Sequence, residues 1–178
     1  MNITYYAAMS LDGYIADSTG GVDWLDEVNI DHSGSSYDAF YETVDGLIMG
    51  RETYAFILNY GSWPYDDKPT WIIASHDVAT LSGCHRQPAS TIEDALQEAT
   101  SLGLDHLWLV GGGQLAAGLM TQGVLTHLQV TVMPVVLGQG ISFLSTLPEH
   151  VYLTQEAIRD GSGCIEVTYQ VGKGPMGT

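Results

Sequence analysis

The sequence predicts an α/β fold of three layers, with helices on both faces of a mostly parallel central sheet and an antiparallel hairpin at its C-terminal edge. Short apolar runs, which are typical of buried strands, alternate with segments of helical periodicity up to about residue 123. Beyond that point extended segments predominate, and a turn rich in Asp, Gly and Ser separates the last two. The alternation indicates parallel strands joined by helical crossovers, whereas the final turn indicates a hairpin.

The composition indicates one globular domain over residues 1–172, followed by a flexible tail of residues 173–178. Of the 178 residues 45% are hydrophobic, and the net charge is −16. A surface this acidic repels nucleic acid and anionic lipid, so we expect neither as a partner. Two isolated cysteines, the lack of a signal-peptide pattern and the lack of a membrane-length apolar run favour a cytoplasmic protein.

In the first half of the chain, short apolar runs predict strands and periodic stretches predict helices. The predicted strands are residues 2–9, 46–50 and 70–74, and helical periodicity covers residues 37–44 and 51–58. A turn and a short extended piece follow the first strand at residues 10–16. Residues 17–35 are rich in Asp, Gly and Ser and predict a long loop, and such loops are often functional, for example as lids.

The second half of the chain begins with a helix that a capping box introduces. Ser90-Thr91-Ile92-Glu93 has the Ser-x-x-Glu pattern, in which serine and glutamate satisfy each other's backbone N–H groups. The elements predicted after it are a strand over 106–110, a helix from residue 113, a β-rich run over 125–137 and hairpin strands at about 150–158 and 164–171.

Three glycines mark the junction between the predicted strand at 106–110 and the helix that follows it. The sequence there is Val110-Gly111-Gly112-Gly113-Gln114-Leu115. Glycine lets the backbone approach a ligand without a Cβ in the way, and the free N–H groups of a helix N-terminus favour an anion. The pattern is typical of a phosphate cradle, and a tight turn that binds nothing is the alternative interpretation.

This glycine segment is one of four motifs that together resemble one known group of proteins. The motifs are Ala8-Met9-Ser10-Leu11-Asp12-Gly13-Tyr14-Ile15-Ala16, Met49-Gly50-Arg51-Glu52-Thr53-Tyr54, Val110-Gly111-Gly112-Gly113-Gln114-Leu115 and Pro134-Val135-Val136-Leu137-Gly138-Gln139-Gly140. In this order they resemble the dihydrofolate reductase-like superfamily, which includes the reductase domain of riboflavin biosynthesis. The resemblance implies that fold, with NADPH bound across the carboxyl ends of the central strands.

The resemblance also implies which residues hold the cofactor. Ala8 and Ile15 would hold the nicotinamide carboxamide through backbone groups, and Arg51 and Thr53, next to Gly50 at a helix start, would contact the 2′-phosphate and pyrophosphate. Ser75 and His76 are implied at the 2′-phosphate, and Gly112 and Gly113 would support the pyrophosphate from the other side. The whole implied cofactor-binding segment is Val110, Gly111, Gly112, Gly113, Gln114 and Leu115. A guanidinium fork suits a dianionic phosphate, and the chain has only five Lys and Arg residues.

The substrate side of this chain departs from the folate enzymes. They keep an arginine before the third strand, where this chain has Pro69, and a buried acid near the start of the first long helix. Alignment on Trp24 places Asn29 at the position of the acid, whereas counting back from Gly50 places Gly34 there, so the proton donor is unassigned. The nearby candidates are Asp26, Glu27, Asp31 and Asp38.

The sequence therefore predicts an NADPH-dependent reductase that passes a hydride to a planar pterin- or pyrimidine-like ring or a related C=N or C=O group. Three alternatives stay open: a protein that binds NADP(H) or a nucleotide without turnover, an oligomer-forming relative with a decayed cleft, and the 5-amino-6-(5-phosphoribosylamino)uracil reductase of riboflavin biosynthesis. We expect no metal site, because the histidines lack ligand spacing. We also expect a homodimer that pairs through the β-rich C-terminal region, and poor activity on dihydrofolate.

Overall fold

The structure is a computed structural model that describes residues 1–28, 36–160 and 163–172. Its strands are β1 (Asn2–Ser10), β2 (Tyr14–Ala16), β3 (Gly46–Gly50), β4 (Thr70–Ile73), β5 (His106–Gly111), β6 (His127–Met133), β7 (Ile141–Ser142), β8 (Leu153–Asp160) and β9 (Ile165–Val171). Its helices are α1 (Trp24–Glu27), α2 (Tyr37–Thr43), α3 (Arg51–Tyr60), α4 (Ile92–Ser101) and α5 (Gly113–Thr121).

The central sheet is parallel on one side and antiparallel on the other. Its seven strands lie in the order β4-β3-β5-β1-β6-β9-β8, while β2 and β7 form a separate antiparallel pair. Every pairing among β4, β3, β5, β1 and β6 is parallel, and the two pairings of β9 are antiparallel. The predicted mostly parallel sheet with a C-terminal antiparallel hairpin is confirmed.

Two hydrophobic cores lie on opposite faces of this sheet, because successive side chains of a strand point to opposite faces. In β1, Tyr5 joins the core that contains residues of α4 and α5. Its neighbour Tyr6 joins the core that contains Phe40 of α2 and Tyr54 of α3. Helices therefore cover both faces, as predicted, and the architecture is a three-layer sandwich.

The start of α4 differs from the predicted capping box. Thr91, and not Ser90, is the N-cap residue, and its hydroxyl accepts a hydrogen bond from the backbone N–H of Asp94 at 3.3 Å. The same hydroxyl donates to the Asp94 carboxylate at 2.8 Å. Two hydroxyl residues stand side by side here, and the second has an acid three positions later that completes a cap, so the helix begins one residue late.

The predicted loop of residues 17–35 and the β-rich run of residues 125–137 also differ in detail. The loop contains the short helix α1, whose Trp24 is buried, and residues 29–35 lie outside the described residues. The β-rich run forms a strand only as far as Met133, because Pro134 has no N–H to donate to a ladder. The predicted tail at 173–178 also lies outside the described residues.

A cleft opens in the middle of the sheet, at the carboxyl ends of its parallel strands. β1 pairs with β5 only as far as Tyr5 and Leu109, whereas it pairs with β6 through Ser10. β5 continues beside β3 as far as Gly111. The second half of β1 has therefore parted from β5, which is where open α/β sheets bind their ligands. In the described part of the chain, no helix is long and apolar enough to cross a membrane.

Candidate active site

Two helices begin on glycine at the edge of this cleft. Gly50 is the N-cap of α3 and Gly112 is the N-cap of α5, and neither helix has a side-chain hydrogen bond at its cap. A Cβ on Gly50 would lie 3.8 Å from the carbonyl oxygen of Gly111 and 3.9 Å from the nitrogen of Gly112. The two helix N-termini are thus adjacent, and the positive ends of their dipoles lie side by side.

The hydroxyl of Thr53 occupies the space that a side chain on Gly111 would need. A Cβ on Gly111 would lie 2.9 Å from the Thr53 hydroxyl oxygen, and one on Gly112 would lie 3.6 Å from it. The peptide bond between Gly111 and Gly112 is cis. Because Gly111 has no side chain, the hydroxyl of Thr53 lies against the backbone of Gly111 and Gly112. The predicted anion contacts at Thr53 and at the glycine segment are therefore neighbours, and we call this arrangement the cradle.

The third glycine of the segment fixes the cradle to β7. A Cβ on Gly113 would lie 2.5 Å from the carbonyl oxygen of Ser142 and 2.7 Å from that of Phe143, so only glycine fits. The backbone N–H of Phe143 in turn donates to the carbonyl of Gly13 at 2.8 Å. The turn that precedes Ile15 is in this way connected to the N-terminus of α5 through a single intermediate segment.

The rest of the glycine segment and the predicted phosphate contacts lie around the cradle. Val110 and Leu115 pack into the two cores, and Gln114 is exposed at the start of α5. Ser75 and His76 are exposed just beyond β4, whose Ile73 pairs with Gly50. These two side chains therefore follow the strand beside Gly50, at the same edge of the sheet.

Arg51 is exposed and forms an ion pair with its neighbour. The side chain is 58% exposed, and its Nη2 lies 2.6 Å from Oε1 of Glu52, whose side chain is 82% exposed. An exposed ion pair of this kind contributes only about 0–1 kcal/mol, because water competes for both groups. The guanidinium of Arg51 would therefore lose little free energy if it left Glu52 to bind a dianionic phosphate.

The two residues predicted beside the nicotinamide lie in β1 and β2. Ala8 lies in the part of β1 that has left β5, and it pairs with Thr131 of β6. It packs with Trp24, while Ile15 of β2 packs against the core under α4 and α5. A flat ring inserted between β1 and β5 would meet the backbone of Ala8.

The structure describes three of the four predicted proton donors. Asp26 and Glu27 in α1 and Asp38 in the first turn of α2 are all exposed. Asp31 lies outside the described residues, and so do Asn29 and Gly34, the two alternative positions of the acid. The thiols are poor nucleophiles at neutral pH, since burial raises the pKa of Cys84 to about 11 and also raises that of Cys164.

The region where folate enzymes place an arginine contains Lys68 and Pro69 in this chain. Pro69 precedes β4, and its carbonyl accepts a hydrogen bond from the N–H of Leu47 at 2.8 Å. The ammonium of Lys68 donates to the carbonyl of Val44 at 2.6 Å and lies 4.6 Å from the centre of the Tyr41 ring. Lys68 is therefore engaged at the amino end of the sheet.

The structure adds one acid that the sequence did not identify. Glu166 in β9 is 5% exposed, and its Oε1 accepts a hydrogen bond from the backbone N–H of Ser36 at 3.3 Å. Its neighbour Ile165 is 50% exposed, so the strand buries the charged residue and exposes the apolar one. Hydrophobic alternation predicts the reverse, which explains why the pattern gave no signal for Glu166.

A sequence model described as the RibD C-terminal domain matches residues 59–161, which is more than half of the chain. The chain belongs to the RibD C-terminal domain family. Its match includes the glycine segment and Ser75. The family relative YwjB from Bacillus subtilis (strain 168), an uncharacterized protein, is 30% identical over 169 residues, which are 92% of this chain and 94% of that protein. This alignment extends the likeness to the first third of the chain.

Solved structures agree with the family. A protein from Shewanella sp. PV-4, named for riboflavin biosynthesis, superposes with a TM-score of 0.83 at 26% identity and covers 97% of this chain and 100% of its own. Dihydrofolate reductase from Enterococcus faecalis, complexed with NADP(H), superposes with a TM-score of 0.64 at 16% identity and covers 97% of each chain. The second likeness shows the fold alone. The chain is thus a reductase-like member of the RibD C-terminal domain family.

Proposed function

We propose that the chain is an NADPH-dependent reductase of planar C=N or C=O heterocycles. The observation that carries the proposal is the cradle formed by Gly50, Thr53 and Gly111 at the adjacent N-termini of α3 and α5. Two uncapped helix N-termini and a hydroxyl suit a pyrophosphate, and Arg51 at one of them suits a 2′-phosphate. The fit supports NADPH because a nicotinamide on the same cofactor would reach the cleft beside Ala8.

The roles of the residues follow from their positions. NADPH, when bound, supplies the hydride, and the protein supplies orientation and a closed environment. Backbone groups of Ala8 and Ile15 orient the nicotinamide, while Ser75 and His76 add donors at the 2′-phosphate. The glycine segment admits the pyrophosphate because it has no side chains in the way.

A pair of glycine substitutions tests the cradle. Gly111→Ala puts a methyl group 2.9 Å from the Thr53 hydroxyl, and we expect it to weaken NADPH binding about tenfold or more. Gly118→Ala is the matched control, because Gly118 lies in α5 with nothing within 4 Å of its Cβ position. The measurement is NADPH affinity by calorimetry, and equal affinities in the two variants would remove the cradle as the cofactor site.

A more specific candidate is the 5-amino-6-(5-phosphoribosylamino)uracil reductase of riboflavin biosynthesis, which the family match favours. It differs from the general proposal in needing a site for the ribosyl phosphate. Steady-state NADPH oxidation with that compound, with dihydrofolate and with a panel of pterins and small imines separates the candidates. If NADPH binds and none of these substrates reacts, the chain is a binding protein without turnover of these substrates.

We further propose that the chain forms a homodimer through the β8–β9 hairpin. Every residue of β8 is exposed, and Tyr152 and Ile158 are each 60% exposed. An edge strand with exposed apolar side chains is an aggregation hazard unless another surface covers it, and symmetric pairing with a second copy is a frequent solution.

Sedimentation measures the pairing directly. We expect a dimer at micromolar concentration and a monomer after Ile158→Lys. Tyr60→Lys is the control, because Tyr60 is 66% exposed at the end of α3, far along the chain from the hairpin. A wild-type monomer, or equal effects of both substitutions, would contradict the proposal.

A further inference from the structure

A cavity lies beside α2, apart from the proposed cofactor contacts. It measures about 360 Å³, and it is lined by α2, by the starts of β1, β5 and β6, and by the β8–β9 hairpin. The structure describes every residue proposed to hold NADPH, and none of them lines this cavity. On β1 the lining residues are Asn2 and Thr4, and Thr4 lies roughly 13 Å along the strand from Ala8. The cavity is therefore a second candidate site, distinct from the cofactor cleft.

The antiparallel half of the sheet forms one wall of the cavity. Gln129 of β6 pairs with Thr168 of β9, and Thr168 pairs with Ala157 of β8. In the next row, Glu166 of β9 pairs with Arg159 of β8. All five residues line the cavity. Because directly paired residues of neighbouring strands point to the same face, the side chains of Glu166 and Arg159 lie side by side at this wall.

Glu166 brings a buried carboxyl with one oxygen unsatisfied. The residue is 5% exposed, and its Oε1 accepts the hydrogen bond from the backbone N–H of Ser36. Its Oε2 has no partner among the residues that the structure describes. A buried acceptor without a donor costs free energy, and native proteins rarely leave one. A donor on a molecule bound in the cavity would satisfy this oxygen.

Arg159 brings a guanidinium that has no partner in the described part of the chain. No hydrogen bond or ion pair reaches it there, and the residue is exposed on β8. The chain has only five Lys and Arg residues against 21 acidic ones. The other three that the structure describes are all engaged, namely Arg51, Lys68 and Arg86. A guanidinium without a partner suits a carboxylate, which it binds through two parallel hydrogen bonds.

The two histidines that line the cavity already have partners. Nε2 of His106 lies 2.9 Å from the hydroxyl oxygen of Thr4, and Nε2 of His127 lies 3.6 Å from the carboxylate of Glu156. The ionisable lining groups that remain are the carboxyl and the guanidinium of the β8–β9 row. The guanidinium belongs to an exposed residue and the carboxyl to a buried one, so a molecule that enters from solvent meets both groups.

We propose that this cavity binds a small zwitterion of the α-amino acid type. Its ammonium donates to Oε2 of Glu166, and its carboxylate accepts hydrogen bonds from the guanidinium of Arg159. A single carbon atom joins the two charged groups of an α-amino acid, which suits partners that lie side by side on neighbouring strands. A zwitterion has no net charge, so a chain of net charge −16 does not repel it as it would repel an anion. We call the pair of Glu166 and Arg159 the zwitterion site.

The test uses L-serine, L-glutamine and L-phenylalanine as probes, each beside its N-acetyl derivative and its amide. The N-acetyl derivative lacks the ammonium, and the amide lacks the carboxylate. Calorimetry measures the binding of each compound to the full chain. We expect at least one of the amino acids to bind about tenfold or more tightly than either of its derivatives, since each derivative loses one charge-assisted contact. No binding of any of the three, or a derivative that binds as tightly as its parent, would overturn the inference.

Two variants assign the preferences to the two side chains. Glu166→Gln should abolish the preference for the amino acid over its N-acetyl derivative and keep the preference over the amide. Arg159→Gln should do the opposite, because it removes the partner of the carboxylate. Glu93→Gln is the control, since it removes a carboxylate at an exposed position of α4, and it should bind like the wild type. Preferences that stay unchanged in either variant would overturn the inference.

Stability and NADPH binding keep the outcomes distinct. Because Arg159 is exposed, Arg159→Gln should unfold at the same temperature as the wild type, and its result decides the test even if Glu166→Gln does not fold. Affinity for the amino acid should be equal with and without saturating NADPH, because the cavity and the proposed cofactor contacts share no residue. Competition between the two would place the amino acid in the cofactor cleft and overturn the inference. If the amino acid binds and NADPH does not, the proposed cofactor is wrong while the zwitterion site stands.

Discussion

Two regions of the molecule are built from different materials. On the cofactor side, the parallel strands β3 and β5 end in glycine turns, and helix N-termini present backbone N–H groups. In contrast, Trp24 of α1 and Glu166 of β9 are buried side chains from elements that are distant in sequence. The arrangement of backbone groups at a turn depends on the local sequence. The arrangement of side chains from distant elements depends on which residues the strand register brings together.

The largest expected loss of stability is at Gly113, where the glycine segment packs against the end of β7. Gly113→Ala would place a Cβ within 2.7 Å of two backbone carbonyl oxygens, of Ser142 and Phe143, neither of which can rotate away. We expect a loss of about 2–3 kcal/mol in the free energy of unfolding, together with loss of NADPH binding. Denaturant unfolding checks the change against Gly118→Ala, and equal stability of the two variants would contradict the described packing.

The next prediction concerns dihydrofolate, which we expect the chain to bind weakly. We expect dihydrofolate to bind about two orders of magnitude more weakly than it binds enzymes with an arginine for its carboxylates, because one charge-assisted bidentate pair is missing. Pro69 stands where that arginine would be, and Lys68 is held by Val44 and Tyr41. A kcat/KM for dihydrofolate of about 10⁵ M⁻¹s⁻¹ or more would show that another group replaces the arginine.

How far the sequence predicts each region follows the same division. The two glycine turns were predictable as local structure, because glycine at a strand–helix junction reports a local backbone requirement, and a Cβ on Gly50 would lie 3.8 Å from the carbonyl oxygen of Gly111. Glu166 was not predictable, because its burial depends on the pairing of β6 with β9 and on the position of Ser36. The acids chosen by sequence distance, such as Asp38, are exposed, since proximity along the chain does not fix direction.

A smaller effect separates helix capping from function. Thr91→Ala should reduce the free energy of unfolding by about 1 kcal/mol, because the hydroxyl satisfies the N–H of Asp94. Ser90→Ala should cost much less, since Ser90 is not the cap. Neither variant should alter NADPH affinity, because neither hydroxyl is among the proposed cofactor contacts. A larger loss of unfolding free energy in Ser90→Ala than in Thr91→Ala would instead support the predicted capping box, with Ser90 as the N-cap.

The smallest effect is a pH dependence near the first turn. The Ser10 hydroxyl, followed by the backbone N–H groups of Leu137 and Gly138, holds the pKa of Asp12 below its usual value of 3.8. A depressed pKa adds stability above pH 3.8, and the contribution disappears as the pH falls through the folded-state value. Asp12→Asn should therefore lower Tm slightly at pH 6 and not at pH 2. A difference that persists at pH 2 would contradict this cause.

The central claim is that Arg51 and the two glycine turns hold NADPH, and one titration tests it most directly. Calorimetry with NADPH, NADH and ADP on the wild type and on Arg51→Ala measures the contribution of the 2′-phosphate. We expect the wild type to prefer NADPH over NADH by about tenfold or more, and Arg51→Ala to bind both equally, because the proposal assigns the guanidinium to the extra phosphate. Equal affinity of the wild type for NADPH and NADH, or no binding of either, would contradict the account.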